Sequence, residues 1–148
     1  MKIIATAAIL TTGLITFVAV ASGRSNSDDP CEQKLSNVEM RECYTKEQEL
    51  VNVDADSLAN KVAAAFRKDA QDAKWKGPVA GALRKAASSV MQSQKTWRTY
   101  RDQHCNAVAY SLTTGSGAGT AYESCLFQLG HQRVHELSSA FGQGVSNQ

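Results

Sequence analysis

The chain has 148 residues, of which 43% are hydrophobic and 20% charged, so it is long enough for one folded domain with its own core. Its formal net charge is only +2, which gives no long-range attraction for nucleic acid or for an anionic membrane. All four cysteines lie after residue 30, and an even number of cysteines in an exported chain is typical of a disulfide-bonded domain.

The N-terminus predicts a secretory signal peptide in residues 1–21. Lys2 precedes an uncharged, mostly apolar run, and residues 19–21 (Ala-Val-Ala) place small side chains where a signal peptidase cuts. The alternative is an uncleaved anchor, but the run is barely long enough to span a bilayer, and four threonines and a glycine dilute it. We therefore expect a soluble protein beginning at Ser22, with a net charge of +1, in the periplasm or outside the cell.

Residues 22–35 are polar around Pro30 and are expected to form a linker and an N-terminal loop. A first helix is predicted to begin at Ser36, because Ser36 and Glu39 fit a capping box. Its apolar or small residues at helical spacing are Val51, Ala55, Leu58, Val62, Ala65, Phe66 and Ala73. The helix is predicted to end near residues 75–78, and an interruption near residues 52–56 would divide it into two.

A second helix is predicted from Pro78 to a break at residues 113–120, where three glycines lie within five residues. The seam of this second helix is Val79, Leu83, Ala86, Ala87, Val90, Gln94, Trp97, Arg101 and Cys105. The seam of a third helix is Tyr122, Leu126, Leu129, Arg133, Leu137 and Phe141. The predicted fold is all-α: a small antiparallel bundle of three or four helices over residues 36–141, followed by a disordered tail at residues 142–148.

Four cysteines allow three disulfide pairings. We favour Cys31–Cys43 with Cys105–Cys125, because each pair encloses a short loop beside a predicted helix end. The first pair requires a non-helical start, since a continuous helix would separate its thiols by roughly 18 Å. Zinc would need tighter CxxC-type spacing, and a catalytic thiol would leave an odd cysteine unpaired.

The segment QKTWRTYRDQHC, residues 94–105, is rich in functional side chains. On a helix, Gln94, Trp97, Arg101 and Cys105 share one face, which could be a recognition face or a catalytic one. The structural interpretation is that Trp97 fills the core, Arg101 stacks on it or pairs with a carboxylate, and Cys105 ties the helix end. We favour the structural interpretation, because large aromatic side chains dominate protein cores.

The order of several motifs along the chain resembles one family. These motifs are Cys31, Ser36, Glu39, Met40 and Cys43; Asp56 and Asn60; Gln94-x-x-Trp97-x-x-Tyr100-Arg101-Asp102-x-x-Cys105; the glycine-rich loop at residues 115–119; and Cys125, Arg133 and Leu137. Together they resemble the N-terminal domain of the lysozyme inhibitor LprI family over residues 31–141. The resemblance implies that Trp97, Tyr100, Arg101 and Asp102 are a structural signature of the fold. It also implies lysozyme inhibition as an expected activity.

Other candidate chemistry is weaker. His131 and His135 have the i, i+4 spacing of a zinc pair, but Gln132 stands where a metalloprotease needs a glutamate base, and no third or fourth ligand is evident. The glycine-rich loop lacks the Gly-Lys-Ser/Thr ending of a phosphate loop. We find no nucleophile–base–orienter set, so we expect no catalytic residue, no metal and no cofactor.

The resulting hypothesis is an exported, non-catalytic binding protein that inhibits a lysozyme by plugging its cleft. The loop residues expected to bind are Thr113, Thr114, Gly115, Ser116 and Gly117. The rival hypotheses are a cell-envelope interaction module with another protein or peptidoglycan as partner, and a small-molecule carrier. An exposed surface that is rich in acids or centred on a loop would favour lysozyme inhibition. A broad apolar helix face would favour the envelope interaction module, and an enclosed cavity would favour the small-molecule carrier.

Overall fold

Three helices account for most of the protein in the computed structural model, which describes residues 29–73, 77–112, 115 and 117–145. They are α1 (Asn37–Asp72), α2 (Pro78–Ser111) and α3 (Gly117–Val145), and the described residues contain no strand. The prediction of an all-α, disulfide-stapled bundle is therefore confirmed. The expected signal peptide and residues 22–28 lie outside the described residues, and no described helix is long and apolar enough to cross a membrane.

The start and end signals of the helices follow local chemistry. Ser36 caps α1, because its Oγ accepts a hydrogen bond from the Glu39 amide at 3.2 Å and donates to the Glu39 carboxylate at 2.9 Å. Gly77 precedes α2 with φ 121°, a backbone conformation that favours glycine, and Pro78 opens the helix. α1 ends at Asp72, earlier than the sequence indicated, and is not interrupted near residues 52–56. α3 continues past residue 141 to Val145.

Each helix packs on both others, and the parallel pair α1 and α3 makes the most extensive contact. The apolar core falls into two clusters along the bundle. The first consists of Cys31, Tyr44, Val51 and Phe127, with Met40, Cys43 and Val134 against it. The second consists of Ala59, Val62, Val90 and Leu137, with Leu58, Phe66 and Phe141 against it. Polar residues of all three helices lie between the two clusters, as described below.

Two core positions of α2 differ from the predicted seam. Val79 is 51% exposed whereas its neighbour Ala80 is buried. Ala80 lies two helical turns before the buried residue Ala87, so it shares the inward face of α2 with Ala87 and Val90. Trp97 is half-buried rather than inside the core, because its neighbours on α3 include a guanidinium instead of an apolar side chain.

Small residues let the helices approach closely. Buried alanines are frequent on α1 and α2, and Gly130 of α3 lies directly against α1. A Cβ atom added at Gly130 would lie 2.5 Å from Cγ1 of Val51 and 3.4 Å from Oδ1 of Asn52. The spacing of α1 and α3 therefore depends on the absence of a side chain at this position.

Both disulfides lie at one end of the bundle. Cys31 is bonded to Cys43 with Cα atoms 5.7 Å apart, and Cys105 to Cys125 with Cα atoms 5.5 Å apart, which is the pairing favoured from the sequence. Asp29 holds the N-terminal loop in place, since its carboxylate accepts hydrogen bonds from the Cys31 amide at 2.9 Å and from the Tyr44 hydroxyl at 2.7 Å. The α2–α3 loop lies at this same end.

We expect Gly130→Ala to lower the free energy of unfolding by about 1–3 kcal/mol, because the added methyl group overpacks the α1–α3 contact. Gly81→Ala is the matched control, since a Cβ there meets nothing within 4 Å and should stabilise α2 by roughly 0.5–1 kcal/mol. Urea denaturation of the oxidised protein measures both changes. Equal effects of the two substitutions would contradict the close approach.

Candidate functional site

The segment at residues 94–105 lies in α2 between the other two helices, and its central polar residue is Gln94. The Gln94 side chain is only 4% exposed. Its Nε2 donates to Oδ1 of Asp56 on α1 at 3.0 Å, and its Oε1 accepts from Nε of Arg133 on α3 at 2.9 Å. One carboxamide therefore joins three helices, and a buried amide of this kind is stable only when both of its ends are satisfied.

Charged groups extend this polar layer toward the surface. Arg98 forms an ion pair with Asp56, and its Nε lies 2.9 Å from Oδ1 of that carboxylate. Arg133 also donates to Oγ of Ser93 at 2.7 Å and pairs with Glu136 at 3.3 Å. The desolvation penalty of burying an ion pair is smallest when additional hydrogen bonds hold the charged groups.

Trp97 lies between two guanidinium groups. The Cζ atom of Arg101 is 5.2 Å from the centroid of the indole, and that of Arg133 is 5.9 Å away, both within cation–π distance. Arg101 also donates to Asp102 at 2.8 Å through Nε and to Oδ1 of Asn52 on α1. Arg101 thus both stacks on Trp97 and pairs with a carboxylate, the two roles that the sequence left open as alternatives.

These contacts make the segment a structural junction of the three helices. Within the described residues, no buried side-chain nitrogen or oxygen lacks a hydrogen-bond partner. Tyr100 points away from the junction, exposed and stacked on His104 with ring centroids 5.5 Å apart. His131 packs edge-on against Phe127 at 4.5 Å, and no group of three potential metal ligands occurs in the described part of the chain.

The predicted binding loop is only partly described. Thr113, Thr114 and Ser116 lie outside the described residues; Gly115 is exposed, and Gly117 begins α3. The Gly115 amide donates to the carbonyl oxygen of Leu112 at 3.3 Å. The loop therefore presents at least one exposed glycine between two helix ends.

The flanks of this loop are fixed to the rest of the bundle. Cys105–Cys125 joins α2 to α3, and Thr120 donates to the Asn37 carbonyl oxygen at the start of α1, at 3.0 Å. Gly119 packs against Arg41 so closely that a Cβ there would lie 3.2 Å from Nε of Arg41. We call this region, residues 29–45 with residues 105–125, the disulfide end.

Three ionisable groups at the disulfide end have a raised pKa: Tyr44, Tyr122 and Glu123. Burial raises the pKa of Glu123, and Glu49 raises it further, whereas Arg41 and a hydrogen bond to Thr45 lower it. Burial also raises the pKa of Tyr122, with a further contribution from the charge of Asp102. Sequence reasoning missed Arg41 and Glu123, because they meet only when α1 and α3 pack side by side.

The comparison with known families gives one match. The family model described as "Lysozyme inhibitor LprI" matches residues 28–137. No curated protein matches the chain, and no solved structure matches it. The matched region includes both disulfides, the polar junction around Gln94 and the α2–α3 loop.

We expect Gln94→Leu to lower the free energy of unfolding by about 1–3 kcal/mol, because it leaves Nε of Arg133 without its acceptor and removes one of the two donors to Oδ1 of Asp56. Gln92→Leu is the control, since Gln92 is exposed on the same helix and its loss should change stability by less than about 0.5 kcal/mol. Urea unfolding monitored by circular dichroism measures both. A Gln94→Leu protein as stable as its control would show that the carboxamide does not join the helices energetically.

We expect Glu123→Gln to stabilise the protein at neutral pH and to have no stabilising effect near pH 3. The raised pKa means that the folded state binds this proton more tightly than the unfolded chain does. The proton bound to Glu123 therefore contributes its full stabilisation below the unfolded pKa, and this contribution is lost as the pH rises through the folded pKa. Glutamine needs no proton to be neutral, so the Glu123→Gln protein is the more stable one at neutral pH. Thermal unfolding across this pH range, with the exposed residue Glu42→Gln as control, tests the sign. A destabilised Glu123→Gln protein at neutral pH would contradict it.

Proposed function

This chain belongs to the lysozyme inhibitor LprI family, and from that membership we propose that it is an exported protein that inhibits a lysozyme by binding to it, without catalysing a reaction. The family match over residues 28–137 is the observation that carries the proposal, because it spans nearly the whole helical region. The packing of the polar junction agrees with a binding role, since its functional groups are committed to each other.

Export to the periplasm or the cell exterior is part of the proposal. Residues 1–21 have the basic start, apolar run and small-residue cleavage pattern of a signal peptide. Two disulfides support it, because such bonds form and persist in oxidising compartments. After cleavage, the protein would meet lysozyme in the compartment where the cell wall is exposed to it.

Inhibition requires that the sugar polymer be kept out of a cleft lined by two carboxyl groups. Residues 113–117 carry no charge and offer hydroxyl groups and glycine amides, which can donate hydrogen bonds to carboxylates without introducing a like charge. We assign the cleft-blocking role to this loop, with Thr113, Thr114, Gly115, Ser116 and Gly117 as its contact residues. The exposure of Gly115 supports the assignment.

The anchoring of the loop's flanks also supports this role. Cys105–Cys125 closes a segment of 20 residues, and Thr120 is hydrogen-bonded to α1. A segment whose ends are already fixed loses less conformational freedom on binding, which leaves more of the contact energy as affinity.

The character of the surface favours inhibition over the two rival functions. In the described part of the chain, half of the exposed large apolar side chains lie on or just before α1 among charged residues and the other half on or just after α2, so they do not form one broad apolar face. Three surface grooves of about 360, 410 and 800 Å³ are all open to solvent, unlike the enclosed cavity of a carrier. Acidic side chains are frequent around the disulfide end, which suits a basic partner.

We predict saturable, stoichiometric inhibition when the oxidised protein is titrated against animal-type, goose-type and phage-type lysozymes acting on cell walls. Gly115→Asp should then weaken inhibition about tenfold or more relative to Gly115→Asn, because only the aspartate brings a charge toward two carboxylates. The two variants are of equal size, so that their difference reports charge and not bulk.

Failure to inhibit any of the three lysozyme types, with both disulfides intact and the helical spectrum normal, would refute the proposed function. Equal inhibition by the Gly115→Asp and Gly115→Asn proteins would show that the protein inhibits lysozyme but that the loop does not enter the cleft.

A further inference from the structure

The outward face of α1 carries an unusual combination of acidic and apolar side chains. We define the α1 ridge as the exposed residues Val38, Glu39, Glu42, Lys46, Glu49, Leu50 and Val53, of which three are acidic, one is basic and three are apolar. They lie on the side of the helix opposite to its buried residues, and at 1.5 Å per residue they extend over roughly 22 Å. The ridge is thus a continuous strip of surface.

The apolar members of the ridge are well exposed. Val38 is 67% exposed, Leu50 62% and Val53 66%, and Leu35 just before the helix is 98% exposed. These are four of the eight large apolar side chains that are exposed in the described part of the chain. Apolar side chains between charges are typical of a protein-binding surface, where they supply buried area once a partner covers them.

The small net charge of the chain conceals a strong charge separation. Residues 29–54 contain seven acidic and three basic side chains, whereas residues 55–94 contain three acidic and seven basic side chains. Because α1 and α2 are antiparallel, residues 55–94 form the opposite end of the bundle. The disulfide end and the α1 ridge therefore carry the negative charge of the molecule.

The ridge begins beside the start of α3, which follows the loop assigned to the lysozyme cleft. A groove of about 800 Å³ runs along the first turns of α1, lined by residues that include Val38, Glu42 and the basic side chains Arg41 and Lys46. Arg41 in turn contacts Gly119 just after the loop. A partner that accepted the loop would therefore meet the α1 ridge next.

We propose that the α1 ridge docks on the basic surface beside the lysozyme cleft while the uncharged loop enters the cleft. This inference rests on the proposed function. Animal-type lysozymes are strongly basic outside a cleft that itself contains two carboxyl groups, so acidic side chains are favourable beside the cleft and unfavourable within it. The chain has this division, with acids on α1 and none in residues 113–119.

A basic protein is the occupant that the charges select. The acids of the ridge would be repelled by nucleic acid and by an anionic membrane, whereas they would accelerate association with a positively charged protein. The exposed Leu50 and Val53 would then slow dissociation, because their burial adds apolar contact.

The test is the association rate of the oxidised protein with an animal-type lysozyme, measured over a salt series alongside lysis inhibition. Glu42→Lys/Glu49→Lys should associate about tenfold more slowly at low salt and lose most of the salt dependence. Asp69→Lys/Asp72→Lys makes the same change in net charge at the opposite end and should have a much smaller effect. Leu50→Ser/Val53→Ser should raise the dissociation rate severalfold and leave the association rate unchanged.

The outcomes separate the ridge from the proposed function. If the wild-type protein inhibits lysozyme and the Glu42→Lys/Glu49→Lys and Asp69→Lys/Asp72→Lys variants associate equally fast, the docking role of the ridge is refuted and the inhibitor function is supported. Ridge-dependent binding without inhibition would support the ridge and refute the function. A wild-type protein that neither binds nor inhibits would overturn both.

Discussion

The arrangement of the three helices depends on one buried carboxamide. Gln94 is nearly inaccessible to solvent, donates to Asp56 of α1 and accepts from Arg133 of α3, so a shift of any helix along the bundle would leave a buried polar group unsatisfied. Apolar contacts alone specify such alignment poorly, because neighbouring alanines are nearly interchangeable. The junction sits between two apolar clusters and fixes how they meet.

The alignment set by this junction has consequences at the disulfide end. It places the start of α3 beside the start of α1, where Thr120 contacts Asn37 and Gly119 contacts Arg41. Gly119 and Thr120, which follow the proposed binding loop, thereby lie beside the first turns of α1 where the ridge begins, although these segments are far apart in the sequence. Under our proposal, a neutral segment for the cleft and an acidic segment for its surroundings would act on one basic partner at the same time.

Local signals in the sequence predicted much of this fold. The capping box at Ser36, the Gly77-Pro78 pair and the cysteine spacings act within a few residues, so their structural effects can be read directly. Trp97 could not be placed in this way, since helical spacing indicates a shared face but not that Arg133 lies opposite. The partners of Asp56 were likewise hidden, because they depend on which faces of the three helices lie together.

The measurement that tests the central claim most directly is competition for the lysozyme cleft. The affinity of the oxidised protein for the lysozyme that we propose it inhibits would be measured at increasing concentrations of a chitin oligosaccharide that fills the cleft. Our account predicts that the apparent dissociation constant rises in proportion to the oligosaccharide concentration, since both ligands need the same space. An unchanged dissociation constant, with oligosaccharide and protein bound together, would contradict the claim that this protein acts by occupying the cleft.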